Sequence, residues 1–124
     1  MTLNEYQEKA MTTCTESSMN DTYLLFGLVA EVGELADKVA KAKRKDIITI
    51  DDDDILPLVL PRITHNEYGE FEVGFLKELG DVLWFVAMIA EHSGVTLENL
   101  AQSNLDKLAD RAKRGVIVGD GDNR

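Results

Sequence analysis

The sequence predicts an all-α protein: a four-helix bundle with an irregular insertion, of which a hairpin is one form, between the second and third helices. Three observations carry this. Two long apolar stretches, Tyr23 to about Lys43 and residues 73–92, contain no proline. Both prolines, Pro57 and Pro61, fall between them. Two further segments, opening at Thr2 and Thr96, carry helix-start signals.

The first helix is expected over about residues 3–17. Thr2 with Glu5 has the form of a capping box, and Leu3, Tyr6, Ala10, Met11 and Cys14 recur at helical spacing. Ser17 to Asp21 reads as a turn with Asx caps, after which the second helix runs into the basic stretch Lys41–Lys45, where positive charge suits exposed carbonyls. From Ile47 to Glu72 the residues are β-branched, acidic or turn-forming, and Asn66 to Gly69 read as a turn. The third helix is expected over 73–92, ended by Ser93-Gly94, and Thr96 caps a fourth that reaches about Arg114. Residues 115–124, with three glycines and two aspartates, read as an extended tail. The organisation expected is therefore one helical domain over 1–114, with an insertion at about 46–72.

Bulk properties narrow the function. A chain of 124 residues, 44% hydrophobic, has room for one modest core. Its net charge of −10 repels phosphate, which disfavours non-specific binding to nucleic acid or an anionic membrane. The lone Cys14 excludes an internal disulfide and a cysteine-based zinc cluster, and reads as a buried structural thiol. The opening residues show no basic region followed by an apolar run, so a cytoplasmic location is expected.

The chemistry lies in an anomaly. Val73 to Ala90 is apolar nearly all the way round, which predicts a largely buried helix, yet it contains Glu78 and Asp81. The second helix surrounds Glu31 and Glu34 with Leu28, Val29, Val32 and Leu35 in the same way. The pairs belong to a short internal repeat, Glu31-Val-Gly-Glu34-Leu and Glu78-Leu-Gly-Asp81-Val, with Gly33 and Gly80 at equivalent places. A glycine inside a helix costs about 0.5–1 kcal/mol relative to alanine, so the two suggest close approach of a neighbour or ligand. Residues three apart share a helix face, so each pair presents two carboxylates in one direction. Four acids in apolar surroundings repel one another and are poorly solvated, and a divalent cation removes both penalties. All-oxygen ligation favours Mg²⁺, with Mn²⁺ able to substitute. Ordinary pairing with lysines is the competing explanation, and here the third helix offers only Lys77 nearby.

On the fourth helix Asn104, Lys107, Arg111 and Arg114 are spaced to share one face. Alone this reads as a solvated helix end, but beside a metal site it supplies the cations needed to hold a polyphosphate. The usual phosphate loops, Gly-x-x-x-x-Gly-Lys-[Ser/Thr] and Gly-x-Gly-x-x-Gly, are absent from the sequence.

With Glu31-Val-Gly-Glu34, Glu78-Leu-Gly-Asp81 and the terminal Lys107-Leu-Ala-Asp-Arg111-Ala-Lys-Arg114-Gly, the chain resembles the MazG-like all-α nucleoside triphosphate pyrophosphohydrolases. The resemblance spans most of the chain. It implies that Glu31, Glu34, Glu78 and Asp81 hold Mg²⁺ and carry catalysis, that metal-activated water attacks the α-phosphorus of a nucleoside triphosphate, and that Asn104, Lys107 and Arg111 contact the nucleotide; Arg114, on the same face by spacing, is expected to bind substrate with them. It further implies homodimers or homotetramers with active sites near subunit interfaces. The connection between Glu34 and Glu78 is longer than compact members use, so residues 46–72 are an insertion relative to them. The base is not implied. Trp84 could stack on it, although a core position suits this residue better. A di-iron bundle would need Glu-x-x-His motifs, which the sequence lacks. A non-catalytic nucleotide-binding or helical interaction module is the alternative. Asp51 to Asp54 lack EF-hand spacing and read as a solvated loop, and neither His65 nor His92 is expected in catalysis.

Overall fold

A computed structural model of the chain describes residues 1–51, 54–57 and 65–118. Among them the chain is all-α, with α1 at Leu3–Met11, α2 at Asp21–Arg44, α3 at His65–His92 and α4 at Leu97–Lys113. The insertion takes the form of one antiparallel hairpin, β1 (Ile48–Asp51) with β2 (Asp54–Pro57), in which Ile48 pairs with Pro57 and Asp51 with Asp54. Asp52, Asp53, Pro61 and the tail residues 119–124 lie outside the described residues.

Local chemistry places the helix ends. The capping box at α1 is complete: Glu5 N donates to Thr2 Oγ1 at 3.1 Å and Thr2 N to the Glu5 carboxylate at 2.7 Å. Asn20 and Thr96 cap α2 and α4 by accepting from the backbone N of Tyr23 and Asn99. Helices α2, α3 and α4 close in the same way, with Ile47 N donating to Ala42 O, Val95 N to Ala90 O and Val116 N to Arg111 O. This closure needs a left-handed residue. Gly94 and Gly115 supply it after α3 and α4, and Asp46, with φ 57°, supplies it after α2.

Two boundaries differ from expectation. Helix α1 stops at Met11, because the hydroxyls of Thr12 and Thr13 donate to the carbonyls of Lys9 and Ala10 and compete with helix continuation. The chain then makes only a short 3-10 turn at Glu16–Ser18. Helix α3 begins at His65 rather than 73, so Asn66 and Gly69 are helical. Tyr68, Phe71 and Phe75 stand three and four residues apart, with successive ring centroids 6.0 and 6.1 Å apart, and their packing outweighs two turn-forming residues. The insertion accordingly narrows to the residues between Arg44 and His65.

The chain divides into two compact units, Met1–Met19 with Ala87–Arg124, and Asn20–Val86. In the first, Ala10, Ala87, Met88, Ala90 and Leu97 are buried. Gln7, only 5% exposed, ties this unit together. Its amide oxygen accepts from Leu97 N at the start of α4, and its nitrogen donates to Glu91 and to the carbonyl of Val95. Cys14 is half-buried, not fully buried as expected, because α1 ends before reaching it. No helix among the described residues is long and apolar enough to cross a membrane.

In the second unit α2 and α3 run antiparallel. Tyr23 and Gly27 meet Phe85, Glu31 meets Asp81 and Glu78, and Lys38 meets Glu78 and Gly74. The repeat offset that carries Glu31 onto Glu78 also carries Gly27 onto Gly74 and Lys38 onto Phe85. The equivalent positions thus meet reciprocally, but only Gly27 is a steric close approach among the described residues, the Lys38 side chain lying at ordinary van der Waals distance from Gly74. The close approach expected at Gly33 and Gly80 is not seen: a Cβ at either would meet nothing within 4 Å. Nor is α3 largely buried within the single chain. Each helix spends one face on the other, leaving Phe26, Val29 and Val32 of α2, and Leu76, Leu79 and Leu83 of α3, exposed.

Candidate metal centre on the paired helices

Three of the four expected acids come together. Carboxylate oxygens of Glu31, Glu78 and Asp81 all lie within 4.8 Å of one another, Glu31 and Glu78 half-buried and Asp81 exposed. Glu34 stands close enough to act electrostatically on Glu31 and on Lys38, but its carboxylate is outside this group. The antiparallel pairing explains the arrangement, since it sets the first acid of one repeat against the last acid of the other.

Burial pushes the Glu31 carboxyl up from the ordinary carboxylate range, and Asp81, Glu34 and Glu78 push it further in the same direction. Three oxygens converging from two helices, with mutual repulsion detectable on one of them, fit a hard divalent cation. The folded chain therefore binds the Glu31 proton more tightly than the unfolded chain, and metal-free stability falls as pH rises from the ordinary carboxylate value through the raised one. Glu31→Gln should flatten that dependence in thermal melts with chelator present, and raise the neutral-pH midpoint on the order of 2–4 °C. A lowered midpoint would contradict the repulsion.

One acid does have a lysine partner, contrary to the expectation that lysine pairing is lacking, and it is Lys38 of α2. Lys38 Nζ lies 2.9 Å from Glu78 Oε1, the side chains being 34% and 14% exposed. Hydrogen bonding to Glu78 raises the Lys38 pKa above the usual lysine value. The signal for Lys38 is its place four residues after Glu34, on the same face of α2.

The other expected residues lie on α4, in the other compact unit. Asn104 and Lys107 are exposed, and Arg114 is exposed and bound to Asp110 through Nε at 2.8 Å. Arg111 is only 5% exposed, so the four do not form a uniformly solvated stripe. Trp84 is half-buried and packs edge-on against its neighbour Phe85 at 4.9 Å.

The fold is an all-α chain whose two acid-bearing helices pair to bring three carboxylates together. Residues 20–116 match the MazG nucleotide pyrophosphohydrolase domain, and the chain belongs to that family. It is 41% identical over 103 residues to the Gene 37 protein of Mycobacterium phage L5, covering 83% of this chain and 75% of that protein. No solved structure matches it significantly.

Proposed function

We propose that the chain is a Mg²⁺-dependent nucleoside triphosphate pyrophosphohydrolase, converting a (deoxy)nucleoside triphosphate and water to the monophosphate and pyrophosphate. The observation that carries this reading is the convergence of Glu31, Glu78 and Asp81 in a chain of the MazG family. Those three acids, with Glu34, would hold Mg²⁺ or Mn²⁺. When bound, the ion supplies Lewis acidity to phosphoryl oxygens and lowers the pKa of nearby water. The chain's own carboxylates orient the site, and one of them accepts the proton of the water that attacks the α-phosphorus. Asn104, Lys107, Arg111 and Arg114 are assigned to the nucleotide. The apolar faces around Phe26, Val29, Leu76 and Leu83 support a homodimer or homotetramer, since a second copy would cover them. The enzyme would act on free nucleotides in the cytoplasm.

The test is product analysis by ³¹P NMR over a panel of canonical and modified triphosphates, with and without Mg²⁺. Mg²⁺-dependent monophosphate plus pyrophosphate is expected. Nucleotide binding with no turnover on any substrate would replace the enzyme with a nucleotide-binding module.

A further inference from the structure

Lys38 sits where two features of the second unit meet. On one side its ammonium bonds Glu78, one of the three carboxylates close enough to share an ion. Its side chain passes over Gly74, where Nζ, Cδ and Cε lie 3.5–3.7 Å from the place a Cβ would take. On the other side it lines a groove of about 210 Å³ together with Lys41 of α2, Lys45 just after it, and Glu67, Glu70 and Gly74 of α3.

We propose that Lys38 is a built-in counter-ion which a divalent cation displaces from Glu78, and that its freed ammonium then holds the terminal phosphates of the substrate in the lysine-lined groove. The second half rests on the function proposed above. A lysine and a divalent ion on Glu78 claim the same oxygens. A partly exposed lysine pair is a weak bond, whereas the ion gains several carboxylates at once, so the ion prevails. Its charge then repels the ammonium, and the flexible four-carbon stem lets Lys38 turn away.

The groove explains why release matters. In the structure Lys38 is committed to Glu78 and Lys41 to Asp37, while Lys45 shares the groove with Glu67 and Glu70. With the partner acids Glu78 and Asp37 counted, three lysines face four carboxylates in that state. Release of Lys38 from Glu78 removes that deficit, so polyphosphate binding strengthens once the ion is bound.

The test uses the full chain and its Lys38→Met, Lys38→Arg and Lys77→Met variants. Mn²⁺ affinity is read from the free-ion EPR signal, and inorganic pyrophosphate is then titrated calorimetrically into Mn²⁺-saturated protein. Lys38→Met should bind Mn²⁺ about three- to ten-fold more tightly than the parent, by removal of one competing ion pair. Lys38→Arg and Lys77→Met should stay near the parent, the latter controlling for net charge. Pyrophosphate should bind Lys38→Met about five-fold or more weakly, as loss of a charged phosphate contact predicts. Unchanged or weaker Mn²⁺ binding in Lys38→Met, or an equal gain in Lys77→Met, overturns the competition. Unchanged pyrophosphate binding in Lys38→Met overturns the hand-over. Both are equilibrium measurements, so a chain that behaves as expected yet hydrolyses no nucleotide refutes the proposed function without touching the competition between Lys38 and the ion.

Discussion

Glu78→Gln is expected to lower kcat by about a hundred- to a thousand-fold, the scale on which loss of one charged group stabilising a transition state is felt. Glu78 is the acid with most at stake: it is 14% exposed, belongs to the three-carboxylate group and holds Lys38. Glutamine keeps the shape and removes the charge, so the loss should track metal affinity rather than folding. Higher Mg²⁺ should recover part of it. Glu34→Gln should act in the same direction but less steeply, because Glu34 lies beside the group rather than in it. Steady-state assays of pyrophosphate release against Mg²⁺ concentration read both effects, and turnover that survives both substitutions would sink the carboxylate mechanism.

The largest structural effect is expected at Gly27. A Cβ there would overlap Cε1 and Cζ at the edge of the Phe85 ring. The ring has little room to move, being 6% exposed and set against Tyr23 at 5.9 Å and Trp84 at 4.9 Å. Gly27→Ala should therefore force α2 and α3 apart and cost about 1–3 kcal/mol, as overpacking does. At roughly 4 °C per kcal/mol for a chain of this size, that is a fall on the order of 4–12 °C in Tm. Gly33→Ala and Gly80→Ala meet no atom within 4 Å in the single chain. They should gain about 0.5–1 kcal/mol from helix propensity. Thermal melts of the three variants separate the two cases by sign, and a loss at Gly33 or Gly80 would show that a second copy closes over them.

Much of this was legible in the residues. The capping box at Thr2, the caps at Asn20 and Thr96 and the break at Ser93-Gly94 depend on chemistry within a few residues, and local chemistry can be read locally. The acids were legible for another reason: Glu31 and Glu78 interrupt apolar helices, and an expensive residue advertises a use. What could not be read is set by pairing across helices. Gly33 and Gly80 sit inside the repeat, but antiparallel packing puts the tight contact at Gly27, against Phe85. The same packing brings Lys38 to Glu78 from forty residues away in sequence, where a search along α3 finds only Lys77. The early start of α3 was hidden by Asn66 and Gly69, whose turn preference is real but weaker than the aromatic packing of Tyr68, Phe71 and Phe75.

In the proposed mechanism Glu31, Glu78 and Asp81 share one divalent cation. The most direct measurement is anomalous diffraction from crystals of the full chain grown with Mn²⁺ and a non-hydrolysable nucleoside triphosphate analogue. The prediction is an anomalous peak among those three carboxylates, with Lys38 no longer bonded to Glu78. Mn²⁺ bound only elsewhere, with Lys38 still on Glu78, would contradict it.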